Sequence, residues 1–160
     1  MKELCIIRHA KTERIVSNQQ DFDRELTGRG LRQCEDLAQH LHDNLREFDV
    51  VLVSSAKRTQ MTFEALKYVI DSKSVLISKE LYLASAQEIM QLISAFALNQ
   101  NSVLLIGHND GISDLVSYFL DDYQHVPTSG YLRFQFAVDS WSEIIRGSGL
   151  LLDSFYSQKS

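Results

Sequence analysis

Cysteine, proline and excess positive charge are scarce in this sequence, and each shortage removes a class of protein. Two cysteines, Cys5 and Cys34, stand in 160 residues with no CxxC or Cys/His spacing, so neither a disulfide framework nor a cysteine-based metal motif is available. Cys5 sits in an apolar strand pattern and Cys34 on the apolar face of a helical one, so both read as buried thiols. One proline and seven glycines rule out collagen-like, proline-rich and low-complexity architectures. Lys and Arg number 16 against 21 Asp and Glu, a net charge of −5, which excludes a nucleic-acid binder that relies on a cationic face. Any anion site must therefore be local. No apolar run approaches the roughly 18 residues of a membrane span, and Met1-Lys2-Glu3-Leu4 leads into a strand rather than a secretory leader, so a cytoplasmic protein is expected. No repeat or linker divides the chain. One domain over residues 1–160, burying roughly two-thirds of its unfolded surface, is the expectation, with disorder confined at most to residues 157–160.

What is present is a 44% hydrophobic chain in which short apolar runs alternate with helical patterns. Leu4-Cys5-Ile6-Ile7, Val50–Val53, Val75-Leu76-Ile77 and Val103–Ile106 read as strands covered on both faces. From Thr27, a plausible N-cap, Leu31, Cys34, Leu37, Ala38, Leu41 and Leu45 fall on one helical stripe. Further helices are expected at Lys57–Ile70, Ser85–Leu98 and Gly111–Leu120, and a late strand at Tyr131–Val138 after a turn bracketed by Pro127 and Gly130. This alternation predicts a three-layer α/β/α fold with a mostly parallel sheet and one late antiparallel strand. The longest stretch without pattern is Lys11–Glu25, polar and of mixed charge. A loop of that length inside a compact domain usually borders a functional site.

Arg8-His9 directly follows the first strand, at the carboxyl end where open α/β sheets place ligands. A strand-end ion pair would produce the same dipeptide. The second strand, however, runs into Ser54-Ser55-Ala56-Lys57-Arg58 and the fourth into Gly107-His108-Asn109-Asp110-Gly111, each before a helix. If neighbouring strands bring these ends together, Arg8 and Arg58 supply planar forks of donors for phosphate oxygens, and His9 and His108 supply imidazole nitrogens. Helix N-termini beyond Arg58 and His108 add positive potential.

Ile7-Arg8-His9-Ala10 resembles the RHG/RHA motif of the histidine phosphatase superfamily, and the remaining segments follow in that family's order. Asp23–Gly30 is similar to its R-x-L-T-x-x-G block, Ser54–Thr62 to S-P-x-x-R-x-x-Q-T, and Val103–Leu115 to V-G-H-N-P-G-x-x-x-L. Thr128–Trp141 resembles the closing strand of the short SixA-type members. Ser55, Met61 and Asp110 depart from the usual Pro, Gln and Pro; none removes a group expected to touch phosphate. The resemblance implies the phosphoglycerate mutase-like fold, with His9 as the nucleophile forming a phosphohistidine and Arg8, Arg58 and His108 binding the transferred group. Arg24 either reaches the same pocket or pairs on the surface with Asp21 or Asp23. Lys11 and Lys57 flank the motif residues, while His40, His42 and His125 have no motif context.

Relatives that cleave phosphate esters carry a glutamate after the third strand that protonates the leaving oxygen. Here Glu80-Leu81-Tyr82-Leu83-Ala84-Ser85 places Leu83 at that position, leaving Glu80 and Asp110 as substitutes. An alkoxide needs that proton; imidazole leaves more easily. The resemblance therefore implies a metal-independent phosphohistidine phosphatase without cofactor. Its substrate would be a phosphohistidine-bearing protein, such as a histidine phosphotransfer domain or phosphocarrier, or else a small phosphorylated molecule. A general phosphomonoesterase, a non-catalytic phosphate-binding module, and a zinc site of His9, His108 and Asp110 are the competing readings.

Overall fold

The computed structural model describes residues 1–44 and 47–158; Leu45 of the helical stripe, and residues 159–160 of the expected disordered end, lie outside them. In chain order the strands are β1 (Lys2–Arg8), β2 (Glu47–Phe48), β3 (Val50–Ser54), β4 (Asp71–Ser72), β5 (Val75–Ser78), β6 (Ser102–Gly107), β7 (Tyr131–Phe136) and β8 (Leu150–Phe155). The helices are α1 (Gly28–His42), α2 (Lys57–Leu66), α3 (Ala86–Phe96) and α4 (Gly111–Leu120).

Six strands form one sheet in the order β5-β3-β6-β1-β7-β8. β5, β3, β6 and β1 pair in parallel, while β7 and β8 extend the sheet antiparallel beyond β1. Leu4, Cys5, Ile6 and Ile7 are all fully buried, because successive side chains of a strand face opposite ways and this central strand is covered on both sides. Cys5 and Ile7 join Cys34, Leu37 and Leu41 of α1 and Leu66 of α2 in one core. Leu4 and Ile6 join Ile89 and Ile93 of α3 and Leu115 and Phe119 of α4 in the other. The result is the three-layer sandwich that alternating strands and helices demand.

Four details differ from the sequence expectation. Val75, Leu76 and Ile77 of β5, expected to be covered on both faces, are 42%, 37% and 47% exposed, because β5 is the sheet's other edge. The helix expected over Lys57–Ile70 is α-helical only to Leu66, with a 3₁₀ turn at Lys67–Val69. The late strand stops at Phe136, and β8 follows as a second antiparallel strand. β8 escapes pattern reading because it is an edge: Leu150, Leu151 and Leu152 are 58%, 38% and 38% exposed, so its apolar residues show neither clean alternation nor full burial. β2 and β4 form a separate two-residue parallel ladder.

Candidate active site

Strand register assembles the site. β1 and β6 pair in parallel with Arg8 opposite Gly107, so the next residue of each chain segment, His9 and His108, emerges at the same edge. Their ring centroids lie 5.4 Å apart. β3 pairs with β6 so that Val53 faces Ile106, which carries Ser54 to the same level, and its Oγ lies 2.7 Å from His108 Nε2. α2 then begins at Lys57 and delivers Arg58, which is 2% exposed. A cleft of about 460 Å³ opens over these strand ends, lined by Arg8, His9, Lys11, Arg24, Arg58 and His108 together with Thr12, Glu13, Arg14, Asp21, Leu83, Asn109 and Thr128.

The His9 ring is oriented by one bond. Its Nδ1 lies 2.8 Å from the Ala10 carbonyl, which can only accept, so Nδ1 carries the proton and Nε2 keeps its lone pair. Burial lowers the His9 pKa to about 3 despite the Ala10 hydrogen bond, and Arg58, Arg8 and Arg24 add to the fall. The ring is neutral at physiological pH. His108 is held at about 3 by burial first, then by His9 and Arg58. Ser54 Oγ receives the Ala56 N–H at 3.4 Å and has a proton to donate to His108 Nε2, in the tautomer that carries the ring proton on Nδ1.

Each flanking group is anchored at one end and free at the other. Arg8 Nη1 donates to the Val126 carbonyl at 3.0 Å. Arg58 donates through Nη1 to the Asp21 carbonyl at 2.8 Å and through Nη2 to the Asp21 carboxylate at 3.1 Å. Arg8 Nε, Arg58 Nε and His108 Nδ1 are buried with no partner among the described residues. A buried N–H without an acceptor costs about 1–3 kcal/mol, and the two arginine Nε–H groups, joined by His108 Nδ1 where it carries the ring proton, have the chemistry to meet an oxyanion beside His9.

Arg24 meets both sequence alternatives at once: it lines the cleft, and it donates to Asp21 Oδ1 at 3.0 Å and to the Glu13 carbonyl at 3.0 Å. Lys11 lines the cleft, whereas Lys57 is drawn aside by Glu25 at 2.6 Å. His40 pairs with Asp153 at 2.8 Å, His42 lies beside Asp43 at 3.5 Å, and His125 is exposed. Glu80 and Asp110 are exposed and do not line the cleft, while Leu83 does. Among the described residues no group of three or more His, Cys, Asp or Glu side chains is placed to hold a metal ion.

Pattern reading missed Asp21, Tyr82 and Thr128. Tyr82 donates its hydroxyl to Asp21 Oδ2 and lies edge-on to His108, with centroids 5.4 Å apart. Burial pushes the Asp21 carboxyl up, but the Tyr82 hydrogen bond and the charges of Arg58 and Arg24 prevail and hold it below the ordinary range. Asp21 is therefore a standing carboxylate rather than a proton donor. The one available signal was its place in the patternless Lys11–Glu25 loop.

A sequence model described as histidine phosphatase superfamily (branch 1) matches residues 4–82. No curated protein matches by sequence. Among solved structures, SixA of Nakamurella multipartitia, a candidate phosphohistidine phosphatase, superposes with a TM-score of 0.82 at 24% identity, covering 98% of this chain and 96% of that one. The protein histidine phosphatase SixA complexed with tungstate gives 0.77 at 22%, with 95% of each chain covered. A phosphoserine phosphatase from Entamoeba histolytica in complex with 3-phosphoglyceric acid gives 0.66 at 18%, with 99% of each covered. The fold is thus that of the phosphoglycerate mutase-like histidine phosphatases. No helix among the described residues is long and apolar enough to cross a membrane.

Proposed function

We propose that this chain is a phosphohistidine phosphatase of the histidine phosphatase superfamily, a metal-independent hydrolase that receives the phosphoryl group on Nε2 of His9. The observation that carries the proposal is the Nδ1 contact to the Ala10 carbonyl, which leaves Nε2 as the ring's lone-pair nitrogen in a cleft shared with Arg8, Arg58 and His108, each holding a buried nitrogen with no partner among the described residues. The Nε2 lone pair forms the N–P bond while the bond from phosphorus to the leaving atom breaks in line. Arg8, Arg58 and His108 donate to the equatorial oxygens, whose charge they stabilise without reorganising. Water then displaces His9 from phosphorus, releasing inorganic phosphate and restoring the neutral ring.

The substrate class follows from the leaving group. Leu83, at the position the resemblance gives to the ester-cleaving acid, lines the cleft, Asp21 is held ionised, and Glu80 and Asp110 are exposed outside the lining, although Asp110 is near enough to Arg8 to act on its charge. An imidazole whose other nitrogen is protonated departs as a neutral molecule and needs no protein acid, so a phosphohistidine fits this site better than an alkyl ester. Leu83 is 54% exposed at the cleft, and Ile15 and Val16, which follow the cleft residue Arg14, are 57% and 63% exposed. An apolar rim of this kind suits a protein surface, such as that of a histidine phosphotransfer domain or phosphocarrier.

Two measurements test this. Incubation with a phosphohistidine protein should leave an acid-labile phosphate on His9, detectable by intact mass, and His9→Ala should lose both the adduct and turnover; more than a few per cent residual turnover would remove His9 as nucleophile. Across phosphate esters of graded leaving-group pKa, kcat/KM should fall steeply, with phosphoserine poor and aryl phosphates intermediate. A flat series with phosphoserine equal to phosphohistidine would replace this reading with a phosphomonoesterase.

A further inference from the structure

Thr128 lines the same cleft as His9, and although it opens the segment that resembles the SixA-type closing strand, that resemblance gives it no role in the site. It sits in a tight turn closed by the Gly130 N–H donating to the Pro127 carbonyl at 2.9 Å, with Ser129 in the left-handed region at φ 59°. The turn is fastened to the end of β1: the Ser129 N–H donates to the His9 carbonyl at 3.0 Å, and the Arg8 N–H to the Gly130 carbonyl at 3.0 Å. It leaves no room for change, since a Cβ on Gly130 would stand 2.7 Å from Val126 Cγ1 and 2.9 Å from the Pro127 carbonyl.

The direction of the Thr128 hydroxyl proton follows from its neighbour. Gln33 is 6% exposed, and its Oε1 accepts the Lys11 backbone N–H at 2.9 Å. A backbone N–H can only donate, so the amide cannot be flipped, and Nε2 must face Thr128. Nε2 lies 3.1 Å from Thr128 Oγ1 and has only protons to offer, so Oγ1 is the acceptor there. The hydroxyl's own proton is then turned away from Gln33 and remains available to an acceptor in the cleft. Arg8, Arg58 and His108 line that cleft too, each with a buried nitrogen that has no partner among the described residues, so the acceptor that suits the site is an anion.

We infer that Thr128 is a further substrate-binding residue, its hydroxyl donating to a non-bridging oxygen of the phosphoryl group on His9, and that Gln33 is the positioning residue that fixes this polarity. The inference rests on the phosphoryl-transfer reading above, but its test reads oxyanion affinity directly. Orthovanadate binding and kcat/KM should be compared for wild type, Thr128→Val, Thr128→Ser and Gln33→Glu, with thermal melts recording any loss of fold. Thr128→Val is expected to weaken vanadate binding about ten-fold or more, with a matching fall in kcat/KM, because it deletes a donor to a charged acceptor. Thr128→Ser keeps the hydroxyl and should stay within about three-fold of wild type. Gln33→Glu turns the positioning group into an acceptor that pulls the hydroxyl proton out of the cleft. It should weaken vanadate binding in the wild-type background and add little to Thr128→Val.

Unchanged vanadate affinity in Thr128→Val, whether or not its melting temperature falls, would overturn the inference. So would a Gln33→Glu effect of equal size in both backgrounds, since that is the mark of added negative charge alone. If wild type bound vanadate with the expected Thr128 dependence yet formed no phosphohistidine, the contact would stand and the catalytic reading of His9 would fall.

Discussion

At the scale of single residues, the two arginines beyond β1 differ in what they have left to give. Arg58 is almost wholly buried, is gripped by Asp21 through Nη1 and Nη2, and has no partner for Nε among the described residues. Arg24 spends Nε on Asp21 and Nη1 on the Glu13 carbonyl, and its side chain is 22% exposed. Charge-assisted hydrogen bonds contribute roughly 1.5–3 kcal/mol each. Arg58→Ala should therefore weaken vanadate binding by about 10- to 150-fold, and Arg24→Ala by markedly less. Equal losses measured by titration would show that Arg24 carries as much of the anion as Arg58. Asp21 offsets the burial of Arg58: its carbonyl and carboxylate accept from the two terminal nitrogens and leave only Nε without a partner among the described residues.

At the scale of elements, two motif glycines mark where helices press against the loops that build the site. A Cβ on Gly30, in the first turn of α1, would stand 2.2 Å from the Lys11 carbonyl oxygen; one on Gly111, at the start of α4, would stand 2.0 Å from the Ala84 carbonyl oxygen. Both distances are impossible without backbone movement. Thr27 completes the α1 junction: its side chain accepts the Gly30 N–H at 3.0 Å, and its own N–H donates to the Lys11 carbonyl at 3.0 Å. Gly30→Ala must separate α1 from the loop after His9, and a loss of about 2–3 kcal/mol in urea unfolding is expected, accompanied by reduced turnover. A fully stable, fully active Gly30→Ala protein would show that the junction yields freely. These contacts give a steric meaning to glycines that the sequence presents only as letters in a motif.

At the scale of the whole molecule, the buried histidines tie stability to pH. His9 and His108 fall from 6.5 to about 3 on folding, so between those values the unfolded chain binds more protons than the folded one. Stability is fully present above pH 6.5 and is lost as pH falls toward 3, by up to about 1.4 kcal/mol per pH unit for each ring. The total stability of an ordinary domain is about 5–15 kcal/mol, so acid unfolding should set in well above pH 3. Urea midpoints taken from pH 7.5 to 4.5 should fall steadily below 6.5, and His9→Asn should flatten that fall. A midpoint independent of pH would mean that the rings are not desolvated in solution. The same desolvation keeps His9 unprotonated, so its ring resonances should not titrate between pH 5 and 8 in an NMR series.

Much of this protein was legible one-dimensionally because the relevant signals are local. The Leu4–Ile7 run, the α1 stripe and the Thr27 cap each depend on residues a few positions apart, and strand-then-basic-residue junctions place Arg8, His9, Arg58 and His108 at sheet ends whatever the strand order. The resemblance to the histidine phosphatases rests on those same junctions together with the Asp23–Gly30 and Thr128–Trp141 segments. Tertiary structure alone could decide the rest. Parallel register set His9 beside His108; packing of the Lys11–Glu25 loop over α2 brought Asp21 onto Arg58; and the turn after Val126 carried Thr128 into the cleft against Gln33, 95 residues earlier. Those contacts join residues far apart in the chain, through hydrogen bonds whose direction depends on what the third partner can donate or accept. No periodicity records such a dependence, so a motif can place His9 at a strand end while the groups that orient its ring must be seen in space.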